Sequence, residues 1–174
     1  IIATKGVTED GLFLHEIAEE ILNVPVAILS GPSFAKEVAM KMPTSVSLAS
    51  KSAEVLKELT PLFHSAFFRI YPSTDVRGVA IGGVVKNVIA IAVGISDGLG
   101  FGANARAALI TKGLHEMSLL SNAVGGQLET IMSLAALGDM VLTTTDNQSR
   151  NRRFGLALGQ GQTVEAAEQS IGQV

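Results

Sequence analysis

The sequence predicts an α/β region followed by an all-α region, and three observations carry that expectation. Up to about residue 72, short apolar or β-branched runs alternate with helical periods, as strand–helix units require. After Pro72 the strand signals fade and apolar stripes at helical spacing take over. The composition, 47% hydrophobic against 17% charged over 174 residues, supplies a sizeable core and is not that of a disordered chain.

In chain order, residues 1–4 read as a strand end. Residues 9–22 read as a helix, with Leu12, Ile17 and Ile21 spaced for one face. Residues 26–29 form a short apolar strand closed by the turn signal Gly31-Pro32. A helix over 34–40, a strand over 45–49, a helix over 53–63 and a closing strand over 67–71 follow. Such alternation favours a largely parallel sheet covered by helices, with the direction of the last strands left open. Beyond it, helices are expected over 74–94, 104–122 and 128–136. A basic helix begins near Ser149, and Thr163 caps a last helix through Ala167. The boundary falls at about residues 72–75, dividing 1–73 from 74–174.

The net charge of −3 provides no global field for nucleic acid or an anionic membrane, so anion binding must be local. The absence of cysteine excludes disulfides, zinc–thiolate sites and thiol nucleophiles, and is compatible with a reducing cytoplasm. The N-terminus has neither an initiator Met nor a secretory layout, and reads as a chain cut upstream. Residues 78–95 approach spanning length, but they hold four glycines and Lys86. A lysine near mid-span costs about 2.5–3.5 kcal/mol on insertion scales. The run is therefore expected to be buried in protein and not inserted in a membrane.

Lys86 is the strongest chemical clue. Its helical neighbours at i±3 and i±4 are Gly82, Gly83, Ile89 and Ala90, which leave a groove for a small ligand or for close backbone approach. A charge there must meet a carboxylate, a polar ligand or water, and burial would lower its pKa and make it a better acid. Catalysis and a structurally paired or snorkelling lysine both fit the pattern. Asn87 faces about 100° away, and anchoring a loop is its favoured reading.

The run Ser149-Arg150-Asn151-Arg152-Arg153-Phe154-Gly155 combines a serine N-cap, guanidinium forks and an amide, a good phosphate site or equally a solvated basic turn. Three arginines in one turn cannot all face one ligand, so some belong to the surface or to salt bridges. Nucleic-acid binding is disfavoured, because no aromatic platform or extended basic face accompanies the cluster. Asp139 could orient a lysine, accept a substrate hydroxyl, or cap a helix-to-loop transition. Lys5 and the Ser30-Gly31-Pro32-Ser33 turn lie at strand ends, where α/β sheets bind ligands. His15, His64 and His115 lack metal-ligand spacing and are read as structural. The segment Asp97-Gly98-Leu99-Gly100-Phe101-Gly102 follows a helix, not a strand, so it reads as a flexible connection and not as a dinucleotide fingerprint. No strand, Gly-x-Gly-x-x-Gly and helix occur in succession.

Taken in order, seven motifs resemble the bacterial type of NAD(P)-dependent glycerol-3-phosphate dehydrogenase. They are Ala3-Thr4-Lys5-Gly6, Leu29-Ser30-Gly31-Pro32-Ser33-Phe34-Ala35, Lys86-Asn87-Val88-Ile89-Ala90, the Asp97–Gly102 segment, Asn104-Ala105-Arg106-Ala107-Ala108, Leu137-Gly138-Asp139 and the Ser149–Gly155 run. Gly83-Val84-Val85 departs from the more usual Gly-Ala-Leu with little change in size. The resemblance implies the later part of a Rossmann-like dinucleotide-binding domain, then most of a helical substrate domain.

The same resemblance implies hydride transfer with NAD or NADP between dihydroxyacetone phosphate and sn-glycerol 3-phosphate, feeding glycerophospholipid synthesis in the cytoplasm. The half that would select between NAD and NADP precedes the matched motifs. By position, Lys86 is implied as proton donor or acceptor. Lys5, Gly31, Ser33, Lys86, Asp139, Ser149, Arg150 and Asn151 are implied as substrate contacts, and Lys5, Ala35, Arg150 and Val174 as cofactor contacts. A homodimer is compatible with it. The rivals are a β-hydroxyacid or sugar-phosphate dehydrogenase of similar layout, against which the basic cluster argues, and a noncatalytic phosphate-binding fragment.

Overall fold

The computed structural model of the protein describes residues 1–172 and places a small sheet against a larger helical body. In chain order the elements are α1 (Leu14–Leu22), β1 (Ile28–Ser30), α2 (Ala35–Ala39), β2 (Thr44–Ala49), α3 (Ala53–Phe63), β3 (Phe68–Ser73), α4 (Val76–Gly98), α5 (Gly102–Ala123), α6 (Leu128–Ile131), a π-helical turn (Leu134–Gly138), α7 (Asp139–Thr145), α8 (Arg150–Gly159) and α9 (Val164–Ile171). The α/β-then-helical order agrees with the expected fold class.

The sheet is mixed, not largely parallel. β2 pairs parallel with β3, but β1 runs antiparallel to β2, with Leu29 opposite Leu48. The N-terminal run touches the free edge of β1 through one parallel bridge, Ile2 to Ile28, rather than forming a strand. Ala27, Val46, Leu48, Leu56 and Ile70 close the core between the sheet and α3.

α1 begins five residues later than the periodicity predicts. The Thr8 hydroxyl accepts the Leu12 amide at 3.0 Å and Gly11 turns the chain at φ +78°, so residues 8–11 form a turn. Leu12 and Ile21 remain 53% and 75% exposed, while Phe13 and His15 supply the buried contacts. The helix expected over 128–136 breaks after Ile131. Ser133 restarts it by accepting the Ala135 amide, and the Gly138 amide reaches back to the Ser133 carbonyl at 3.0 Å, giving the wider π turn that runs directly into α7. Asp139 therefore opens a helix and does not sit at a helix-to-loop transition. Thr163 caps α9 as expected, accepting the Ala166 amide at 3.2 Å, although the helix continues to Ile171.

α4 is the central element, long and apolar enough to cross a membrane by length and composition alone. Val76, Val79, Ile81, Val85, Ala90 and Val93 on this helix are buried inside the protein. It crosses α8 backbone to backbone, because Gly94 and Gly98 face Gly155 and Gly159. A Cβ on Gly98 would lie 2.5 Å from the Leu156 carbonyl oxygen, and one on Gly155 would overlap the Ile91 carbonyl oxygen. Neither neighbour can rotate away. We therefore expect Gly155→Ala to cost a net ~2 kcal/mol, despite the gain in helix propensity, as overpacking does. The thermal unfolding midpoint should fall by roughly 4–8 °C, and an unchanged midpoint would contradict so close a crossing.

Candidate active site

The glycines beside Lys86 bring partners to it and do not leave an open groove. A Cβ on Gly82 would lie 2.7 Å from the Ala136 side chain, so Gly82 is what lets the π turn lie against α4. A Cβ on Gly83 would lie 3.2 Å from the aliphatic stem of Lys5. Of the two sequence expectations for these small residues, close approach is the one realised. The π turn delivers Asp139 at the start of α7, and the N-terminal run delivers Lys5.

The result is a cluster drawn from three distant parts of the chain. Lys86 Nζ donates to Asp139 Oδ1 at 2.8 Å and to the Thr143 hydroxyl at 2.9 Å, while Lys5 Nζ donates to the other carboxylate oxygen at 2.5 Å. Lys86 is 7% exposed and Asp139 2%. Burial pushes the Lys86 ammonium down from its ordinary value to about 8, the Asp139 charge works in the opposite direction, and Lys5 adds to the lowering.

The cluster opens on a cleft of about 570 Å³ that Gly31, Ser33, Phe34, Asn87, Ile91, Leu142, Gln148, Ser149, Arg150 and Asn151 also line. Three cations, Lys5, Lys86 and Arg150, line it against one carboxylate, Asp139, which pairs with the two lysines. The cleft therefore favours an anion despite the negative chain as a whole. Ser149 caps α8, accepting the Arg152 amide at 3.2 Å, and Ser149, Arg150 and Asn151 line the cleft at this helix start. Gly31 turns the chain at φ +148°, and the Ser33 hydroxyl donates to its carbonyl at 3.2 Å.

Of the residues singled out from sequence, Lys5, Gly31, Ser33, Lys86, Asp139, Ser149, Arg150 and Asn151 share this cleft. Ala35 stands exposed at the start of α2 and does not line it; its neighbour Phe34 does. Val174 lies outside the described residues. Asn87 lines the cleft, although anchoring a loop was its favoured reading. Thr143 was missed altogether. Helical spacing held a signal for both: Thr143 is four residues after Asp139, and Ile91 four after Asn87. Arg152 does not face the cleft; it is buried in an ion pair with Asp97, as expected of some of the three arginines. Among the described residues, no group of three His, Asp or Glu side chains is placed to hold a metal ion.

The sequence profile described as NAD-dependent glycerol-3-phosphate dehydrogenase C-terminus matches residues 75–174, and the corresponding N-terminus profile matches residues 1–56. The chain belongs to the NAD-dependent glycerol-3-phosphate dehydrogenase family. It is similar to the glycerol-3-phosphate dehydrogenase [NAD(P)+] of Vibrio cholerae, with 58% identity over 99% of this chain and 51% of the relative. The Bartonella quintana enzyme of the same name is 57% identical over 100% of this chain and 52% of the relative. Among solved structures, the glycerol-3-phosphate dehydrogenase of Coxiella burnetii superposes with a TM-score of 0.96 at 54% identity, covering 99% of this chain and 53% of that one. The Saccharomyces cerevisiae enzyme gives a TM-score of 0.89 at 28% identity, with 99% and 53% covered. The chain thus spans about half the length of the dehydrogenases it matches.

Proposed function

We propose that this chain carries the substrate-binding and proton-transfer part of a dehydrogenase that interconverts dihydroxyacetone phosphate and sn-glycerol 3-phosphate. The observation that carries the proposal is a buried lysine of lowered pKa opening on the same cleft as Arg150 at a helix start. In this reading residues 1–73 are the later part of the dinucleotide-binding domain and 74–174 the helical substrate domain. The cytoplasm is the site of action, in keeping with a cysteine-free chain. An arginine at a helix start, on the same cleft as a separate buried lysine, favours a phosphorylated ketone over a hydroxyacid.

The cleft also fits a nicotinamide cofactor. Phe34, Ile91 and Leu142 give it an apolar wall for a flat ring, and Gly31 and Ser33 lie at the end of β1 beside it. A nicotinamide held there would supply the hydride for the ketone carbon. Arg150, with Ser149 and Asn151, holds the phosphate, so that binding energy aligns the carbonyl beside Lys86. The Lys86 ammonium donates its proton to the oxygen that becomes the hydroxyl, and is left as the amine. In the reverse direction the amine takes that proton back. Asp139 and Thr143 fix the ammonium's position through their hydrogen bonds, and Lys5 balances the carboxylate. Ala35 and Val174 are assigned to the cofactor by family position alone.

The test is oxidation of NADH or NADPH by the full-length protein, dependent on dihydroxyacetone phosphate. Turnover with that ketone is expected. Turnover only with a β-hydroxyacid or another sugar phosphate, or phosphate binding without turnover, would overturn the reading.

A further inference from the structure

Arg152 points away from the cleft, yet its guanidinium joins four separate pieces of the structure. Nε donates to the Thr144 carbonyl at 3.0 Å, at the C-terminal end of α7. Nη1 donates to the Asn147 side chain, in the loop between α7 and α8. Nη2 donates to Asp97 at 2.5 Å, in the last turn of α4. Its own backbone lies in the first turn of α8, directly after Arg150 and Asn151. Arg152 is 7% exposed, and Asp97 has a side-chain exposure of 6%.

Asp97 also receives Arg106 Nε from α5 at 3.0 Å. The segment that reads from sequence as a flexible connection therefore starts from a carboxylate held by two arginines. Close backbone contact keeps the arrangement compact, since Gly94 packs on the Arg152 carbonyl. Asp97 lies 11 residues beyond Lys86 on the same helix, about 16 Å along the axis at 1.5 Å per residue. The proton donor and the anchor of the phosphate loop are thus fixed to two points of one rigid element.

We infer that the buried Asp97–Arg152 pair is a positioning device for the phosphate end of the site, setting the place of Ser149, Arg150 and Asn151 relative to Lys86. This rests on the dehydrogenase reading. Asp97 touches neither substrate nor cofactor; it acts through Arg152 and the 146–149 loop. Because a phosphate must be met by several donors at once, a small shift of the loop should weaken phosphate capture more than it slows proton transfer.

The experiment compares Asp97→Asn and Arg152→Lys with the parent full-length protein, using dihydroxyacetone phosphate and, as a substrate without phosphate, dihydroxyacetone. Asp97→Asn keeps the volume and removes the charge; Arg152→Lys keeps the ion pair but cannot also reach Thr144 and Asn147. In both variants kcat/KM for the phosphorylated ketone should fall about tenfold or more, the scale of a misplaced binding group, with the larger share in KM. The kcat/KM for dihydroxyacetone should stay unchanged. Parent-like KM in both variants, or equal losses with the two ketones, would overturn the inference. If Asp97→Asn does not fold, Arg152→Lys decides by the same comparison. A parent protein inactive on dihydroxyacetone phosphate sinks the dehydrogenase reading instead, an outcome distinct from an active parent with indifferent variants.

Discussion

Replacing Lys86 with alanine in the full-length protein should lower turnover of dihydroxyacetone phosphate at least about a hundredfold while cofactor affinity survives, the usual scale for losing a positioned acid. The ammonium is desolvated and held by Asp139 and Thr143, so its loss removes a donor already placed for the transfer. Lys86→Met, which keeps the stem, should lose as much, separating proton transfer from packing. The pH dependence follows from burial pushing this lysine down to about 8. Ketone reduction needs the ammonium and should decline as pH rises through about 8; alcohol oxidation needs the amine and should rise over the same interval. Both limbs should vanish in the variants. A variant with near-normal turnover, or an unmoved limb, would remove Lys86 from the mechanism.

Asp139→Ala is expected to cost about 3–5 kcal/mol of folding stability, because it strands two buried or half-buried cations that now share one carboxylate. The sign of the accompanying pH effect is fixed by Lys86. Its folded pKa lies below its ordinary value, so between about 8 and 10.5 the folded state binds fewer protons than the unfolded one, and stability rises with pH across that window. Below it the cost of the buried charge is present in full. Removing Asp139 removes the influence that raises the lysine's pKa, so the variant should begin to recover at a lower pH than the parent. Denaturant unfolding at pH 7 and pH 9 should therefore show the gap between variant and parent narrowing at the higher pH. An equal gap at both would mean that the carboxylate is not coupled to the lysines.

Much of the site was legible because its chemistry is concentrated in local runs. The serine cap and arginines of 149–153 announce a helix start, and a lone lysine in an apolar helix demands a partner. Which partner could not be read, since Lys86 meets Asp139 across 53 positions and Lys5 meets it across 134. Thr143 escaped notice because a threonine in a helix is ordinary until a neighbouring helix turns an ammonium toward it. Asp97 was misread for a related reason: glycines after it speak for a loop, whereas its own role depends on Arg152 arriving from α8. In the fold, periodicity found the helices but not their breaks. Those at Gly11 and Ser133 are set by single hydroxyl and glycine contacts, which a stripe of leucines does not reveal. The antiparallel placing of β1 likewise depends on how the chain returns through α2, not on the composition of the strand.

The wide turn at Leu134–Gly138 makes the spacing of this stretch as important as its residue types. An α-helix advances each residue by about 100°, and a π turn accommodates an additional residue before the next helix begins. Deleting any one residue between Ser133 and Asp139 would remove the five-residue span over which the Gly138 amide reaches the Ser133 carbonyl, and with it the wide turn that delivers the carboxylate to both lysines. Substitutions there change a contact, whereas a length change removes the turn itself. The site is therefore protected by arithmetic of the backbone as much as by the identity of its side chains.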